Sequence, residues 1–321
     1  MTQCFVTGGS GFVGRNLIPQ LVEQGYRVRA LARSSQTASL LKSLGAEPIR
    51  GDLAQPQALR LGLNGCQTVF HLAASVDFWA DEKNLWADHV TGTETLLSEA
   101  RSAGVHRFIY LSAASVIMNG KPILNADETT QSNHLIDGYS RTKLLAEKRV
   151  LASNSPAFTT IAIRPPLIWG KGDSSALPQM IEAADKGQFA FINGGAHQIV
   201  TCHVLNVCHA LVLAARSPVG GEAFFVTDGE PQGFKSFITA LLQTQNVDPG
   251  NRSVPLAIAR FLGSAMAGIW RTFRLKGHPP LYPGMINTLG LSFIVSDAKI
   301  RQRLGYQPVI SVSQGLSEMR L

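Results

Sequence analysis

Short apolar runs alternate with amphipathic stretches from residue 3 to about residue 168. The runs CFVT, RVRALA, EPIR, TVFHLA, RFIYLS and TTIAIRP are dominated by apolar side chains. Strands covered on both faces read this way, and such strands build parallel sheets. Between them, residues 12–24, 84–103 and 139–152 place apolar side chains at helical spacing. The alternation predicts βα units, hence an α/β protein with a doubly wound parallel sheet. After RPPLIWG the rhythm loosens. Pro178, Pro218, Pro231, Pro249, Pro255, Pro279, Pro280, Pro283 and Pro308 divide the remainder into short elements, since proline ends helices and is excluded from central strands. The expected division is a first domain over residues 1–170 and a smaller lobe mainly over 171–321. Later segments, at about 195–230, are expected to thread back onto the first domain.

The first turn of this pattern has a special composition. In FVTGGSGFVGR, Gly8, Gly11 and Gly14 fall between the first strand and the first helix. Glycines there allow a tight turn and a close backbone approach to a pyrophosphate, which then rests on the free N–H groups of the helix start. Phe12 and Val13 open that helix and belong to the same expected contact. Residues 1–170 therefore read as a Rossmann-type dinucleotide-binding domain, and 171–321 as a smaller C-terminal substrate lobe.

A second pair carries chemistry. In DGYSRTKLLAEKRVL, Tyr139 and Lys143 stand four residues apart, one above the other on a helix. A phenol has an ordinary pKa of about 10 and is a poor acid–base group at neutral pH. A neighbouring ammonium favours phenolate and lowers that pKa. The tyrosine can then give a proton to a carbonyl oxygen, or take one from an alcohol. Lys143 is also expected to hold the nicotinamide ribose.

The GxxGxxG spacing, with YxxxK about 125 residues further on, resembles the extended short-chain dehydrogenase/reductase superfamily. RPPLIWGKGD, TCHVLNVCHALVLAARSPVGGEAFFVTDGEP and LGYQPVISVSQGL narrow it to the 3β-hydroxysteroid dehydrogenase/isomerase branch. They are equally similar to bacterial 2-alkyl-3-ketoalkanoic acid reductases. The resemblance spans essentially the whole chain. It implies a carboxylate for the ribose of NAD about 18 residues after Gly14, where Ala32 stands, followed by Arg33, Ser34 and Ser35. A guanidinium there suits a 2′-phosphate, so NADP(H) is expected over NAD(H). The resemblance also implies that Asp52 and Leu53 touch the adenine, that Leu72, Ala73 and Ala74 pass the ribose, and that Pro165 lines the cofactor. It places a carbonyl-polarising hydroxyl at the end of the fifth strand, where Ala113 stands in SAASV. If the strand stays extended, Ser115 shares a face with Ala113 and is the expected replacement. Ser112 is second choice.

On the substrate side, Leu167 and Ile168 replace the polar residue common in sugar-nucleotide members. Trp79 and Leu167 are expected to line an apolar substrate, with Phe78 and Trp86 nearby. The expected activity is interconversion of a ketone and a secondary alcohol on a 3-hydroxysteroid, a sterol or a 2-alkyl-3-keto acid. A non-catalytic NADPH-binding sensor or scaffold and a nucleotide-sugar epimerase or dehydratase are the alternatives.

Charge adds one feature. The net charge is +7, with scattered basic residues and a modest cluster at Arg271, Arg274 and Lys276. No concentrated stripe suggests nucleic acid. Residues 255–276 read as an amphipathic helix. Arg260, Ser264, Ala267, Arg271 and Arg274 fall on a polar side, and Leu262, Met266, Ile269, Trp270 and Phe273 on an apolar side. It reads as a lid over the substrate, a peripheral membrane contact, or ordinary packing or a homodimer contact. Cys4, Cys66, Cys202 and Cys208 form no CxxC, and the Cys–His pairs at 202–203 and 208–209 lack metal-ligand spacing. No metal is expected. His71 reads as structural, and DEKNLWADHVTGTETLL as a solvated helix face. No leader or membrane span is legible, so a cytoplasmic protein, with membrane association open, is expected.

Overall fold

The structure, a computed structural model, describes residues 2–132 and 134–320. Its centre is a seven-stranded parallel sheet. The strands are β1 (Gln3–Thr7), β2 (Arg27–Ala32), β3 (Glu47–Arg50), β4 (Thr68–His71) and β5 (Arg107–Leu111). After the short β6 (Ile123–Ala126), β7 (Thr159–Arg164) completes the expected set. Glu222–Phe225 pairs with β7 and closes one edge, giving the order 222–225, β7, β5, β4, β1, β2, β3. The order reverses between β1 and β4, and in open parallel sheets that reversal opens a crevice at the strands' carboxyl ends.

Helices cover both faces, so the apolar runs are buried twice over. Phe5, Val69, Phe108 and Tyr110 look one way, and Cys4, Val6, Phe70 and Ile109 the other, into two separate cores. The helices of this part are α1 (Phe12–Glu23), α2 (Ser35–Ser43), α3 (Pro56–Leu63), α4 (Glu82–Trp86), α5 (Gly92–Ser102) and α6 (Gly138–Ala152). A second, four-stranded sheet joins β6 to Phe293–Val295, Gln198–Ile199 and Gln232–Gly233. A third core gathers Trp169, Met180, Phe191, Phe234 and Phe237.

Three local readings change. The helix expected over residues 84–103 is interrupted by a π-helical turn, Ala87–Thr91, between α4 and α5. Such turns widen the helix and re-aim side chains. This one buries His89, which the charge pattern had assigned to a solvated face. The strand at 107–111 does not continue through 115. Ala113 is still extended, but Ala114–Ile117 form a 3₁₀ turn, so the shared-face argument for Ser115 fails. Hydrogen bonds from Ser112 N to Ile163 O and from Ala114 N to Pro165 O hold the strand end before it turns. Finally, in the helix Leu256–Thr272 the large apolar residues Leu262, Ile269 and Phe273 are exposed, whereas Ala267, expected on the polar side, is buried.

Candidate active site

The glycine loop follows β1 directly. Gly8 has φ +72°, open to glycine at little cost, and its α-carbon faces Leu72 and Ala73 so closely that any side chain would strike their backbone. Gly14 lies against the backbone of Gly8 and Gly9 with no room for a Cβ. α1 then starts at Gly11 without a side-chain cap, leaving its first N–H groups for an anion. Phe12 and Val13, by contrast, turn into the core beneath the loop. The Ala73 amide also donates to Thr7 Oγ1 at 3.3 Å. Gly8, Gly11, Gly14, Leu72 and Ala73 thus bring their backbones together at the switch point.

At the far end, Arg33 is exposed and lines a cavity of about 290 Å³ with Arg50, Gly51, Asp52 and Gln55. Arg50 was not among the expected residues. It ends β3, next to Ala32 at the end of β2, and reaches Ser35 Oγ at 3.4 Å. The signal that could have found it is positional: adjacent parallel strands end side by side, so RVRALAR and EPIR deliver their terminal arginines together. Asp52 caps its own turn by accepting from Ala54 N at 3.1 Å. The Leu53 side chain packs on α5 at Gly92, and Ser34 Oγ caps α2. Two guanidiniums with no carboxylate but Asp52 beside them suit a phosphate.

Tyr139 and Lys143 lie on the inner face of α6, both buried. Asp137 caps that helix, accepting from Ser140 N at 2.7 Å. Lys143 Nζ donates to Leu111 O at 2.7 Å and sits 4.3 Å from the centre of the Tyr110 ring. Burial depresses its pKa to about 7, against the pull of the Glu147 carboxylate one turn on. Tyr139 departs from expectation. Burial, then the Asp137 carboxylate, push its phenol above the ordinary value. In the protein alone, desolvation dominates at this phenol. Glu147 in turn is paired with Arg164 at 2.5 Å, both buried.

Two histidines complete the support. His71 is buried between Thr7 Oγ1 at 2.7 Å and Thr93 Oγ1 at 2.8 Å. His89 meets Thr142 Oγ1 at 2.8 Å and packs edge-on against the Tyr139 ring, with centroids 5.5 Å apart. Burial, reinforced by Lys143, holds both near pKa 3, so both are neutral. Nothing in the pattern signalled His89, because its inward direction depends on the π turn. Ser112 Oγ and Ser115 Oγ are buried and have no hydrogen-bond partner among the described residues. Phe78 covers Tyr139 at 4.6 Å, and Trp79 packs on Tyr282 at 5.6 Å and under the Arg271 guanidinium at 5.1 Å. Leu167 instead packs toward the third core, and Trp86 is exposed.

Fold and site together place the chain among the NAD(P)-dependent oxidoreductases that act on hydroxyl and keto groups. It belongs to the 3-beta hydroxysteroid dehydrogenase/isomerase family, whose model matches residues 5–257. It is 39% identical over 317 residues to a 4-hydroxy-2-methyl-3-oxo-4-farnesyl-3,4-dihydroquinoline-1-oxide ketoreductase of Stigmatella aurantiaca, covering 98% of this chain and 95% of that one. It is 32% identical to a 2-alkyl-3-oxoalkanoate reductase of Stenotrophomonas maltophilia, with 98% and 97% covered. A 3 beta-hydroxysteroid dehydrogenase/Delta 5-->4-isomerase of Mycobacterium tuberculosis is 34% identical, with 98% and 88% covered. Among solved structures, gox2253 superposes with a TM-score of 0.79 at 25% identity, covering 99% of this chain and 97% of that one. The dTDP-glucose 4,6-dehydratase DesIV of Streptomyces venezuelae, solved with NAD, shares the fold with a TM-score of 0.77 at 20% identity, covering 99% of this chain and 95% of that one.

Proposed function

We propose that the protein is an NADP(H)-dependent reductase of an apolar ketone, with Tyr139 as the acid–base group. The observation that carries this reading is the burial of Tyr139 and Lys143 side by side on α6, beneath Phe78. The cofactor supplies hydride when bound. Gly8, Gly11, Gly14 and the start of α1 would hold its pyrophosphate, and Ala73 and Ala74 would pass its ribose. Lys143, which now donates to Leu111 O, would hold a ribose hydroxyl and, when protonated, would set a positive charge next to the phenol. Tyr139 gives its proton to the carbonyl oxygen as that oxygen gains charge. Phe78 and Trp79 exclude water and form an apolar wall. The names of the relatives support a bulky, lipid-like ketone.

NADPH oxidation against a panel tests the reading. The panel holds a 3-ketosteroid, a long-chain 2-alkyl-3-keto acid, a farnesylated quinoline ketone and a short polar ketone. Turnover of an apolar member alone is expected. Silence across the panel, with NADPH shown bound, sinks it and favours an NADPH sensor.

Arg33 and Arg50 support the preference for NADP(H). A charge-assisted hydrogen bond contributes ~1.5–3 kcal/mol, so Arg33→Met and Arg50→Met are each expected to weaken NADPH roughly 10–100-fold and to leave NADH nearly unchanged. Fluorescence titration reads both. Tighter binding of NADH than NADPH by the unaltered protein ends the assignment.

Ser115 supplies the polarising hydroxyl in this reading. Its support is a buried Oγ with no partner among the described residues, since an orphaned donor calls for a ligand. Ser115→Ala is expected to cut turnover by ~10²–10³-fold, as for a lost oxyanion donor. Unchanged turnover in Ser115→Ala with a loss in Ser112→Ala moves the role to Ser112, whose Oγ is orphaned too.

A further inference from the structure

One face of the helix Leu256–Thr272 carries Arg260, Gly263, Ala267 and Arg271, at offsets of 3, 7 and 11 from the first. The middle of this face is sealed. Gly263 and Ala267 are buried, and a methyl on Gly263 would meet Ile286 at 2.5 Å. Its two ends are cations, and both turn toward loops that flank the site. Arg260 Nη2 donates to Gly120 O at 2.8 Å, in the loop that follows the 3₁₀ turn of Ser115. The Arg271 guanidinium lies over the Trp79 ring, 5.1 Å from its centre. Phe78, the preceding residue, covers Tyr139.

Arg260 is held by that carbonyl. Arg271 makes no ion pair or hydrogen bond among the described residues and touches only the ring. The carboxylates of the wall loop already have partners. Asp77 accepts from Trp79 N at 2.8 Å and meets His278 at 3.5 Å. Asp81 caps α4, and Glu82 pairs with Arg141 at 2.7 Å. Asp137, the acid beside Tyr139, caps α6. From residue 249 to residue 296 there is no Asp or Glu, so this part of the lobe brings no carboxylate of its own. An aromatic face steadies a guanidinium without using its N–H donors. A stacked arginine with free donors is therefore preorganised for a planar anion, which it can hold through two parallel hydrogen bonds.

We propose that Arg271 selects substrates that carry a carboxylate at the end away from the ketone. The inference rests on the reductase reading of the same site and adds a substrate class to it, an apolar keto acid whose two polar groups lie far apart. Phe78 touches Tyr139 and Trp79 touches Arg271, so two consecutive rings line the apolar body between the reacting carbonyl and the anion.

Steady-state NADPH oxidation by the full chain tests this with two pairs. One is a 3-ketosteroid with a side-chain carboxylate and its methyl ester. The other is a long-chain 2-alkyl-3-keto acid and its methyl ester, with the carboxylate beside the ketone. Calorimetric titration with the steroid acid lacking its ketone adds a readout that needs no turnover. The KM of the steroid acid is expected to lie roughly tenfold below that of its ester, the lower end for a charge-assisted hydrogen bond, because Arg271 is exposed. The advantage should shrink as salt rises. Arg271→Met keeps an apolar stem on Trp79 and is expected to raise the KM of the steroid acid to that of the ester, with the thermal midpoint in place. The second pair should keep the same acid-to-ester ratio in both proteins. If Arg271→Met weakens the ketone-free acid while neither ketone is reduced, the assignment of Arg271 stands and the reductase reading alone fails. Equal KM for steroid acid and ester overturns the inference, as does a ketone-free acid that fails to bind or binds Arg271→Met equally well. So does an effect of Arg271→Met confined to the second pair. Turnover of the ester in any of these cases leaves the reductase reading in place.

Discussion

Tyr139→Phe is expected to lower ketone reduction by about 10²–10⁴-fold, the range for loss of a positioned general acid, with NADPH affinity nearly unchanged. The reason is geometric. The phenol is held by Phe78 on one side and the edge of His89 on the other, and the variant keeps both packing contacts. What disappears is a single proton donor. Lys143→Met should produce a different signature, a loss in turnover together with weaker NADPH binding, because Lys143 is assigned two tasks. Single-turnover kinetics and fluorescence titration separate these effects. A Tyr139→Phe variant that retains more than a tenth of the turnover would show that the proton comes from elsewhere.

Glu147→Ala is expected to destabilise the fold by ~3–5 kcal/mol, the cost of leaving one partner of a buried ion pair alone. Arg164 is nearly fully buried, donates to Glu147 through Nε at 2.8 Å, and already has an Nη1 atom with no partner among the described residues. Without the carboxylate, its charge faces the Phe225 ring, with the Glu128 carboxylate the remaining opposite charge that feels it. The loss also reaches the site, since the same carboxylate holds up the pKa of Lys143. Glu147→Leu with Arg164→Met removes both charges and should recover most of the stability, because the desolvation cost goes with them. Urea unfolding measures each variant. If the single substitution costs under 1 kcal/mol, water already reaches the pair and the burial argument is wrong. The double variant should still lose turnover, which separates stability from the electrostatics of Lys143.

Much of the fold and part of the site were legible in the chain. The six apolar runs mark six strands of the main sheet to within a residue or two, because a strand covered on both faces has no solvent side to encode. Gly8 and Gly14 were legible because their constraint is steric and local. The four-residue offset of Tyr139 and Lys143 was legible because helical geometry is local as well. What was not legible depends on segments meeting. Arg50 joins Arg33 only because β2 and β3 end side by side. His89 turns inward only through the π turn. Ser115 leaves the strand because Pro165 O takes the Ala114 amide and the chain bends there.

The sequence by itself determined the order of βα units, the tight glycine turn after β1 and the Tyr–Lys helix, since each follows from the sterics of a few neighbouring residues. Only the tertiary structure decided the balance of charge around that helix. Burial raises the Tyr139 phenol and lowers the Lys143 ammonium, and burial is a property of everything packed on top. It likewise decided which side of the helix Leu256–Thr272 faces out. Periodicity defines two faces of a helix, but the close approach of Gly263 to Ile286 chooses the one that is buried.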